Sequence, residues 1–231
     1  MNIIVNGGTR GIGKEVALIL AQDINNRLVV MGRNVTSLKN LSDSHKNIRT
    51  ISVDLSVFDS QSKAFKKVVN EFFNSIDILI NVAGYLSAKD FMETENSDAR
   101  KMMEINFFGP ASVIRVVKPL MARGSHIVNI SSMGGFQGSA KFKGLSCYSA
   151  SKAAIACLSE CLAMEFADSG ISVNCLALGA VQTEMLAKAF PGYKAPIDAK
   201  KMAEFISDFA LNGHKFLNGK IIPVALSNPQ P

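Results

Sequence analysis

Short apolar segments alternate with longer amphipathic segments along the whole chain, and this alternation limits the possible folds more than any other feature. The short segments are rich in Val and Ile and mostly lack strict polar–apolar alternation, which is typical of strands buried on both faces. They cover residues 2–6, 27–31, 48–53, 76–81, 125–130, 171–177 and 220–225. The longer segments are amphipathic and cover residues 11–25, 59–74, 97–122, 146–168 and 196–212, with a shorter one at 34–43.

This order of elements predicts a doubly wound α/β fold, a Rossmann-type sheet of about seven mainly parallel strands with helices on both faces. Because no linker, repeat or low-complexity segment interrupts the 231 residues, we expect a single domain over residues 1–231. Ligands bind such sheets beyond the carboxyl ends of the strands, so the residues that follow each strand are the candidates for chemistry.

Charge and hydropathy argue against two classes of partner. The net charge of +6 is scattered and contains no run of five basic residues, so we expect no nucleic-acid partner, whereas a small anionic ligand suits a mild positive bias. No signal peptide is evident, and no apolar segment approaches the ~18 residues of a membrane span. We therefore expect a cytoplasmic protein without a membrane partner.

The cysteines do not form a metal-binding pattern. Cys147, Cys157, Cys161 and Cys175 include no C-x-x-C pair, and the three histidines are isolated from them. We expect no metal site, and we expect buried free thiols in a reducing compartment. Cys157 and Cys161 are four residues apart on one helix, which is a poor geometry for a disulfide.

A glycine-rich segment, NGGTRGIG at residues 6–13, follows the first strand. Glycines at 7, 11 and 13 allow a tight turn and close approach to a phosphate, and the helix that follows directs its N-terminal amides at that anion. The spacing G-x-x-x-G-x-G differs from the usual dinucleotide fingerprint. The alternative is a glycine-rich turn that binds no ligand.

The residue after the second strand bears on the choice of cofactor. An NAD site usually has Asp or Glu there, whereas this chain has Gly32 and Arg33. Together with Arg10, the guanidinium of Arg33 suits a 2′-phosphate, so NADP(H) is the preferred cofactor and NAD(H) remains possible. The alternative for each arginine is a solvated surface charge.

Polar and small residues also follow the third and fourth strands. Asp54 is placed to accept a hydrogen bond from an adenine amino group, or to cap the turn before the next helix. Asn81 either contributes to the cofactor site or satisfies neighbouring strand ends. Ala83 and Gly84 allow the backbone to run close to a ligand.

Tyr148 and Lys152 lie four residues apart, so a helix that begins near Ser146 places them on one face. The ammonium should favour the phenolate and lower the pKa of Tyr148 below its usual value of about 10. A tyrosine of this kind exchanges protons near neutral pH, as a general acid or base must. The alternative is a chance Tyr-x-x-x-Lys pair with no catalytic role.

In combination these segments resemble the short-chain dehydrogenase/reductase family, in its single-domain branch, and the similarity covers nearly the whole chain. The family's motifs occur here in order: the glycine loop at 7–13, Asp54, the segment 81–84, Asn106, Ser132, the Tyr148/Lys152 pair, and the segment 174–183. The resemblance implies that cofactor binding lies mainly in residues 1–130 and that catalysis and substrate binding lie mainly in residues 131–231.

The resemblance implies a role for each catalytic residue. Tyr148 is expected to protonate the carbonyl oxygen, and Lys152 to lower its pKa and bind the nicotinamide ribose. Ser132 is expected to polarise the carbonyl, with Ser131 as the alternative donor. Asn106 matches an asparagine whose helix kink holds a proton-relaying water, or is an ordinary polar residue of the helix interior.

The same resemblance assigns cofactor binding to residues that follow the strands. They are Gly7, Thr9, Arg10, Gly11, Ile12, Gly13, Arg33, Asp54, Leu55, Asn81, Ala83, Gly84, Tyr148, Lys152, Gly179, Val181 and Thr183.

The chain departs from the family pattern at several positions. Asn6 replaces the usual Thr, and Leu178 replaces the Pro of a Pro-Gly turn, which we expect to loosen that turn. The segment 134–146 is longer than usual, and residues 227–231 lack the acidic residue and glycines that relatives often carry.

The implied function is an oxidoreductase that transfers a hydride between NADP(H) and a carbonyl or alcohol substrate, as an NADPH-dependent ketone or 3-oxoacyl-type reductase. The alternative is a non-catalytic NADP-binding regulatory or scaffold protein. Apolar candidates for the substrate pocket are Met133, Phe136, Phe142, Met185, Phe190 and Tyr193.

Two further features concern partners. Lys141 and Lys143 either meet an acidic carrier or are solvated loop residues. Segment 146–168 is apolar around much of its circumference, which predicts a homodimer or homotetramer.

Overall fold

The computed structural model describes residues 1–226, and the departure noted at residues 227–231 lies outside them. The strands are β1 (Asn2–Asn6), β2 (Arg27–Gly32), β3 (Ile48–Ser52), β4 (Ile76–Asn81), β5 (Met121–Ser132), β6 (Ser172–Leu178), β7 (Val181–Gln182), β8 (Ile197–Asp198) and β9 (Ile221–Val224). The helices are α1 (Gly11–Ala21), α2 (Val35–Ser44), α3 (Phe58–Phe72), α4 (Asn96–Met103), α5 (Gly109–Val117), α6 (Ser146–Glu165), α7 (Glu184–Ala189) and α8 (Ala199–Asn212).

Seven parallel strands form one sheet in the order β3-β2-β1-β4-β5-β6-β9. The chain builds outward from β1 to β3 and then returns to place β4 on the other side of β1. This reversal opens a crevice at the carboxyl ends of β1 and β4, where doubly wound proteins bind their ligands. The predicted α/β fold with a Rossmann-type sheet is confirmed.

Both faces of the sheet are buried, as the absence of alternation in the strands predicted. In β1, Ile3 and Val5 pack toward α1 and α8, whereas Ile4 packs toward α3 and α5, and all three are fully buried. A strand that contacts helices on both sides has no solvent-facing position for a polar residue. The core is therefore two apolar layers that enclose the sheet and hold the strand ends in a fixed order.

The segment predicted as one helix at 97–122 is three elements. Helix α4 passes through a π-helical turn at Glu104–Phe108 into α5, which ends at Val117 before a short 3-10 turn. Pro119 accounts for the end of α5, because proline lacks the amide hydrogen that the helix needs there. Strand β5 consequently begins at Met121, earlier than the predicted residue 125.

The short elements between β6 and α8 were not predicted: helix α7 and the strand pair β7–β8 are too short to show a clear periodic pattern. One expectation is wrong. The thiols of Cys157 and Cys161 are exposed rather than buried, because they lie on the face of α6 that points away from the sheet. Among the described residues, no helix is both long and apolar enough to cross a bilayer.

Candidate active site

The glycine loop between β1 and α1 has the geometry of a phosphate cradle. Gly7 has a φ of +94°, and a Cβ there would lie 2.5 Å from the Ala83 backbone nitrogen. A Cβ on Gly13 would overlap the Gly7 carbonyl, so the loop packs backbone against backbone. Arg10, at the N-cap of α1, makes no side-chain capping bond, and the first turn has no acidic residue. The N-terminal amides of α1 therefore suit an anionic diphosphate.

A cavity of about 850 Å³ runs along the carboxyl ends of the strands and collects nearly all the predicted site residues. Its lining includes every predicted cofactor residue except Asn81. It also includes Ser132, Tyr148 and Lys152 but not Asn106. The sheet order explains this gathering, since the segments after β1, β4, β5 and β6 emerge at one edge.

Asn81 belongs instead to a buried row of amides that crosses the sheet. Asn6 Nδ2 donates to Asn81 Oδ1 (3.0 Å), and Asn81 Nδ2 donates to Asn129 Oδ1 (2.8 Å). Asn129 Nδ2 then donates to Ser159 Oγ on α6 (2.9 Å). The amide of Asn6 takes part in this row, so the departure from Thr retains its hydrogen bonding. Asn129 and Ser159 were missed, although aligning the polar strand ends in register would have indicated Asn129.

Each arginine near the predicted 2′-phosphate site is paired with a carboxylate. Arg33 Nη1 lies 3.9 Å from Asp54 Oδ2, and Arg10 Nη1 lies 3.5 Å from Glu184 Oε2 at the start of α7. The side chains of both arginines are more than half exposed, so each pair contributes little to stability and remains open to exchange for a phosphate. Glu184 was missed because exposed acids at helix starts are common.

Asp54 has the capping role rather than a free carboxylate. Its Oδ1 accepts hydrogen bonds from the Ser56 backbone nitrogen (3.0 Å) and hydroxyl (2.8 Å). Partial burial alone would raise the pKa of Asp54, but the Ser56 hydrogen bonds and the charge of Arg33 outweigh it and lower that pKa. Asp54 therefore stays ionised and helps to position Arg33.

Tyr148 and Lys152 occupy the first two turns of α6, and both are buried. Burial raises the pKa of Tyr148 to about 12, against a smaller opposing effect of the Ser132 hydroxyl. Burial also lowers the pKa of Lys152 to about 8. The expectation of a lowered Tyr148 pKa is therefore wrong. The Lys152 ammonium donates to the Ile130 carbonyl (2.9 Å), and desolvation disfavours the charged form of both groups.

The two serines at the end of β5 differ in what their hydroxyls bind. Ser131 Oγ donates to the Lys152 backbone carbonyl (2.7 Å), which occupies its proton. Ser132 Oγ accepts from the Gly134 backbone nitrogen (3.2 Å), and its hydroxyl lies beside that of Tyr148 in the cavity lining. The geometry thus favours Ser132 as the hydrogen-bond donor to a bound carbonyl.

Asn106 lies within the π-helical turn and is fully buried. Its Oδ1 accepts from the Tyr85 backbone nitrogen (2.8 Å), and its Nδ2 donates to the Tyr85 carbonyl (2.9 Å) and to Ser151 Oγ (2.8 Å). Ser151 Oγ donates in turn to the Tyr148 carbonyl (2.7 Å). Asn106 therefore ties the π-helical turn to the start of α6, and Ser151 is a link that sequence reasoning missed.

Apolar side chains line the part of the cavity next to Ser132 and Tyr148. Of the predicted pocket residues, Phe136 does not line it, whereas Met133, Phe142, Met185, Phe190 and Tyr193 do. Leu86, Leu145 and Leu186 also line the cavity and were missed, because single leucines in loops carry no distinctive signal.

The Leu178–Gly179 turn is held in place despite the missing proline. The Gly179 backbone nitrogen donates to the Val224 carbonyl (2.9 Å), so the turn is fastened to β9. A Cβ at Gly179 would lie 2.8 Å from the Ala225 Cβ, which makes glycine necessary there. We expected a looser turn, but its contact with the last strand restrains it.

Comparison with known proteins agrees with this geometry. A family model described as short chain dehydrogenase matches residues 1–194. An uncharacterized oxidoreductase of Staphylococcus aureus (strain N315) is 27% identical over 225 residues, which is 96% of this chain and 95% of that protein. Dehydrogenase/reductase SDR family member 7B of Xenopus tropicalis is 33% identical over 201 residues, which is 82% of this chain and 64% of that protein.

Solved structures share the fold. A short-chain dehydrogenase/reductase from Brucella melitensis has a TM-score of 0.87 at 23% identity, covering 100% of this chain and 97% of its own. A structure of ElxO with NADP bound has a TM-score of 0.82 at 27% identity, covering 96% of each chain.

Proposed function

The chain belongs to the short-chain dehydrogenase family, a family of oxidoreductases, and from this premise we propose that it transfers a hydride between NADP(H) and a carbonyl or alcohol substrate. We propose NADPH-dependent reduction of a ketone or a 3-oxoacyl compound as the reaction. The observation that carries this proposal is that Ser132, Tyr148 and Lys152 line the same cavity as the phosphate cradle. A regulatory or scaffold protein has no use for that catalytic set.

NADP(H) as the cofactor is supported by charge at one end of the cavity. Arg10 and Arg33 both line it there, and no acidic residue directly follows β2 to accept hydrogen bonds from a ribose. Both carboxylates that pair with these arginines are partly exposed, so a 2′-phosphate can take their place. When bound, NADPH supplies the hydride; the protein supplies the cradle, the arginines and the proton.

Each of the three catalytic residues has its own role in the reduction of the carbonyl. With its pKa raised to about 12, Tyr148 stays protonated and is ready to donate to the oxygen of a bound carbonyl. Ser132 donates a hydrogen bond to that same oxygen, where negative charge develops. Lys152, with a pKa lowered to about 8, exchanges protons near neutral pH and is placed to replace the proton that Tyr148 loses.

We also propose a homo-oligomer that covers the outer face of α6. Small and apolar residues recur on the exposed side of this helix at Ala150, Ala153, Cys157, Cys161 and Met164, and Met164 is 79% exposed. An exposed apolar stripe of this length is typical of a surface that a second subunit covers.

The test of the proposed function is NADPH oxidation with a panel of ketones and β-keto thioesters, together with NADPH and NADH binding. Because the chain has no Trp, the fluorescence of the bound nicotinamide can be followed with little protein background. The proposal predicts NADPH oxidation with at least one carbonyl and tighter binding of NADPH than NADH, with Arg33→Ala reducing that preference. Tight NADPH binding with no turnover of any carbonyl would instead support the regulatory alternative.

A further inference from the structure

The side chains that line the cavity beside Ser132 and Tyr148 indicate which class of substrate it accepts. We define the substrate arm as the lining formed by Leu86, Met133, Phe142, Leu145, Phe190 and Tyr193. We propose that it takes an uncharged ketone with apolar or aromatic substituents, in preference to a ketone that bears a carboxylate or is attached to a phosphate-containing carrier. This inference rests on the proposed function and names its substrate class.

The charged residues of the cavity lining are all outside the substrate arm. Arg10 pairs with Glu184 and Arg33 with Asp54 at the cofactor end, and Lys152 is bound to the Ile130 carbonyl beneath Tyr148. Among the described lining residues, those contributed by the segments after β4 and β5, at 82–86 and 131–145, therefore include no ionised side chain. A carboxylate moved from water into such an environment loses its hydration without gaining a partner.

The longer segment 134–146 accounts for the position of Phe142. Gly134 and Gly135 press this segment against α6, where a Cβ on Gly135 would lie 2.6 Å from the Ala153 backbone nitrogen. Farther along, the Lys89 backbone nitrogen donates to the Gly144 carbonyl (3.1 Å), which joins the segment to the residues that follow β4. With both ends held, the extra length places Phe142 in the cavity wall.

The lysines around these segments already have partners. Lys141 Nζ donates to the Phe136 carbonyl (2.6 Å), Lys143 Nζ lies 3.2 Å from Asp90, and Lys89 Nζ lies 2.7 Å from Asp98. The arrangement favours the solvated-loop interpretation of Lys141 and Lys143 over a carrier-docking one.

The reaction on this substrate class is balanced by the proposed cofactor. The carbonyl carbon receives the hydride and its oxygen receives a proton from Tyr148, so the ketone becomes a secondary alcohol. NADPH is oxidised to NADP⁺, and the proton lost by Tyr148 is restored from solvent through Lys152. No other oxidant, reductant or co-substrate is needed.

Two matched pairs of ketones test the inference with the intact protein and NADPH. Acetophenone and para-acetylbenzoate differ only in a carboxylate, and ethyl acetoacetate and acetoacetyl-coenzyme A differ in whether the acyl group is attached to a phosphate-bearing carrier. We expect kcat/KM to be at least about tenfold higher for the uncharged member of each pair. Equal or reversed values would overturn the inference while leaving the proposed function intact.

A charge placed in the substrate arm gives a second, independent test. Phe142→Lys should reverse the preference between acetophenone and para-acetylbenzoate, because the new ammonium gives the carboxylate a partner. Phe136→Lys adds the same charge to the same segment outside the cavity lining and should leave the preference unchanged. Circular dichroism and NADPH binding establish that both variants are folded.

The two proposals fail in different ways. If Phe142→Lys leaves the preference unaltered, Phe142 does not face the substrate and the inference is wrong. If no ketone of either kind is turned over while NADPH binds, the proposed function itself is wrong and the inference is lost with it. Turnover confined to charged ketones would contradict the inference alone.

Discussion

The Nζ of Lys152 lies 2.9 Å from the backbone carbonyl oxygen of Ile130, and this hydrogen bond holds a lysine of lowered pKa one helical turn from Tyr148. The pKa of Tyr148 is raised and that of Lys152 is lowered. Proximity of an ammonium to a phenol would by itself do the reverse to both. The phenol resists ionisation, whereas the ammonium loses its proton more readily than an exposed lysine. Of the two groups, Lys152 consequently has the pKa closer to neutral pH.

The pH dependence of turnover tests this assignment. Lys152 is protonated below its pKa of about 8 and neutral above it, while Tyr148 keeps its proton up to a pKa of about 12. The rate of ketone reduction should therefore be high below pH 8 and decline above it, since reduction consumes a proton. A rate that instead increases from pH 7 to pH 9 would contradict the proposal that Lys152 returns a proton to Tyr148.

Ser151 is expected to position Tyr148 through its bonds to Asn106 and the Tyr148 carbonyl. Ser151→Ala should cost about 1–3 kcal/mol of stability, because buried polar groups lose a partner, and should lower kcat about tenfold with little change in KM. Ser159→Ala is the matched control: it removes a buried hydroxyl of the same helix, bonded to Asn129 and to the Ile155 carbonyl. Ser159→Ala should lower stability by a similar amount without lowering kcat. If kcat falls equally in both variants, Ser151 has only a structural role.

His126 should make the fold sensitive to acid. It is fully buried between Asn174, Phe209, His214 and the carbonyl of Ala210. Burial lowers its pKa to about 4, with the nearby His214 adding to the effect and the Ala210 hydrogen bond opposing it.

The sign of the acid effect follows from this lowered pKa. The unfolded chain binds a proton on this histidine near pH 6.5, whereas the folded chain does not. The contribution of His126 to the free energy of unfolding is therefore fully present above pH 6.5 and is lost as the pH falls toward 4. Between pH 7 and pH 5 we expect His126 to contribute a loss of about 2 kcal/mol in urea unfolding. His126→Gln should remove that contribution. An NMR titration that places the pKa of His126 near 6.5 would contradict the prediction.

The exposed thiols of α6 report on the proposed oligomer. In the single chain Cys157 and Cys161 are exposed and Cys175 is buried. An interface on this face should protect Cys157 and Cys161 from a thiol reagent at micromolar protein concentration, and Met164→Glu should expose them and lower the sedimenting mass. A monomer by sedimentation, with both thiols reacting rapidly, would rule out this interface.

The arrangement of the strands and most of the site could be predicted from the sequence because both depend on local patterns. Apolar runs such as Ile3-Ile4-Val5 predict strands buried on both faces, and the order of residues after each strand then determines what meets at the sheet edge. Gly7, Ser132, Tyr148 and Lys152 are brought together in this way.

The features that sequence reasoning missed depend on contacts made in three dimensions. The raised pKa of Tyr148 depends on its burial, which leaves no signal in the spacing of residues. The exposure of Cys157 depends on which face of α6 meets the sheet. The row from Asn6 to Ser159 requires the strand register before it can be recognised.

Turnover by Tyr148→Phe is the most direct test of the central claim that this chain is a reductase with Tyr148 as the general acid. The variant removes only the phenolic hydroxyl, so NADPH should bind as tightly as to the wild type while kcat for ketone reduction falls by about a hundredfold or more. Tyr85→Phe is the control, since the Tyr85 ring lies under Lys101 and only its backbone contacts Asn106. Lost turnover with intact NADPH binding in Tyr148→Phe, and normal turnover in Tyr85→Phe, is the predicted result; full turnover in Tyr148→Phe would contradict the account.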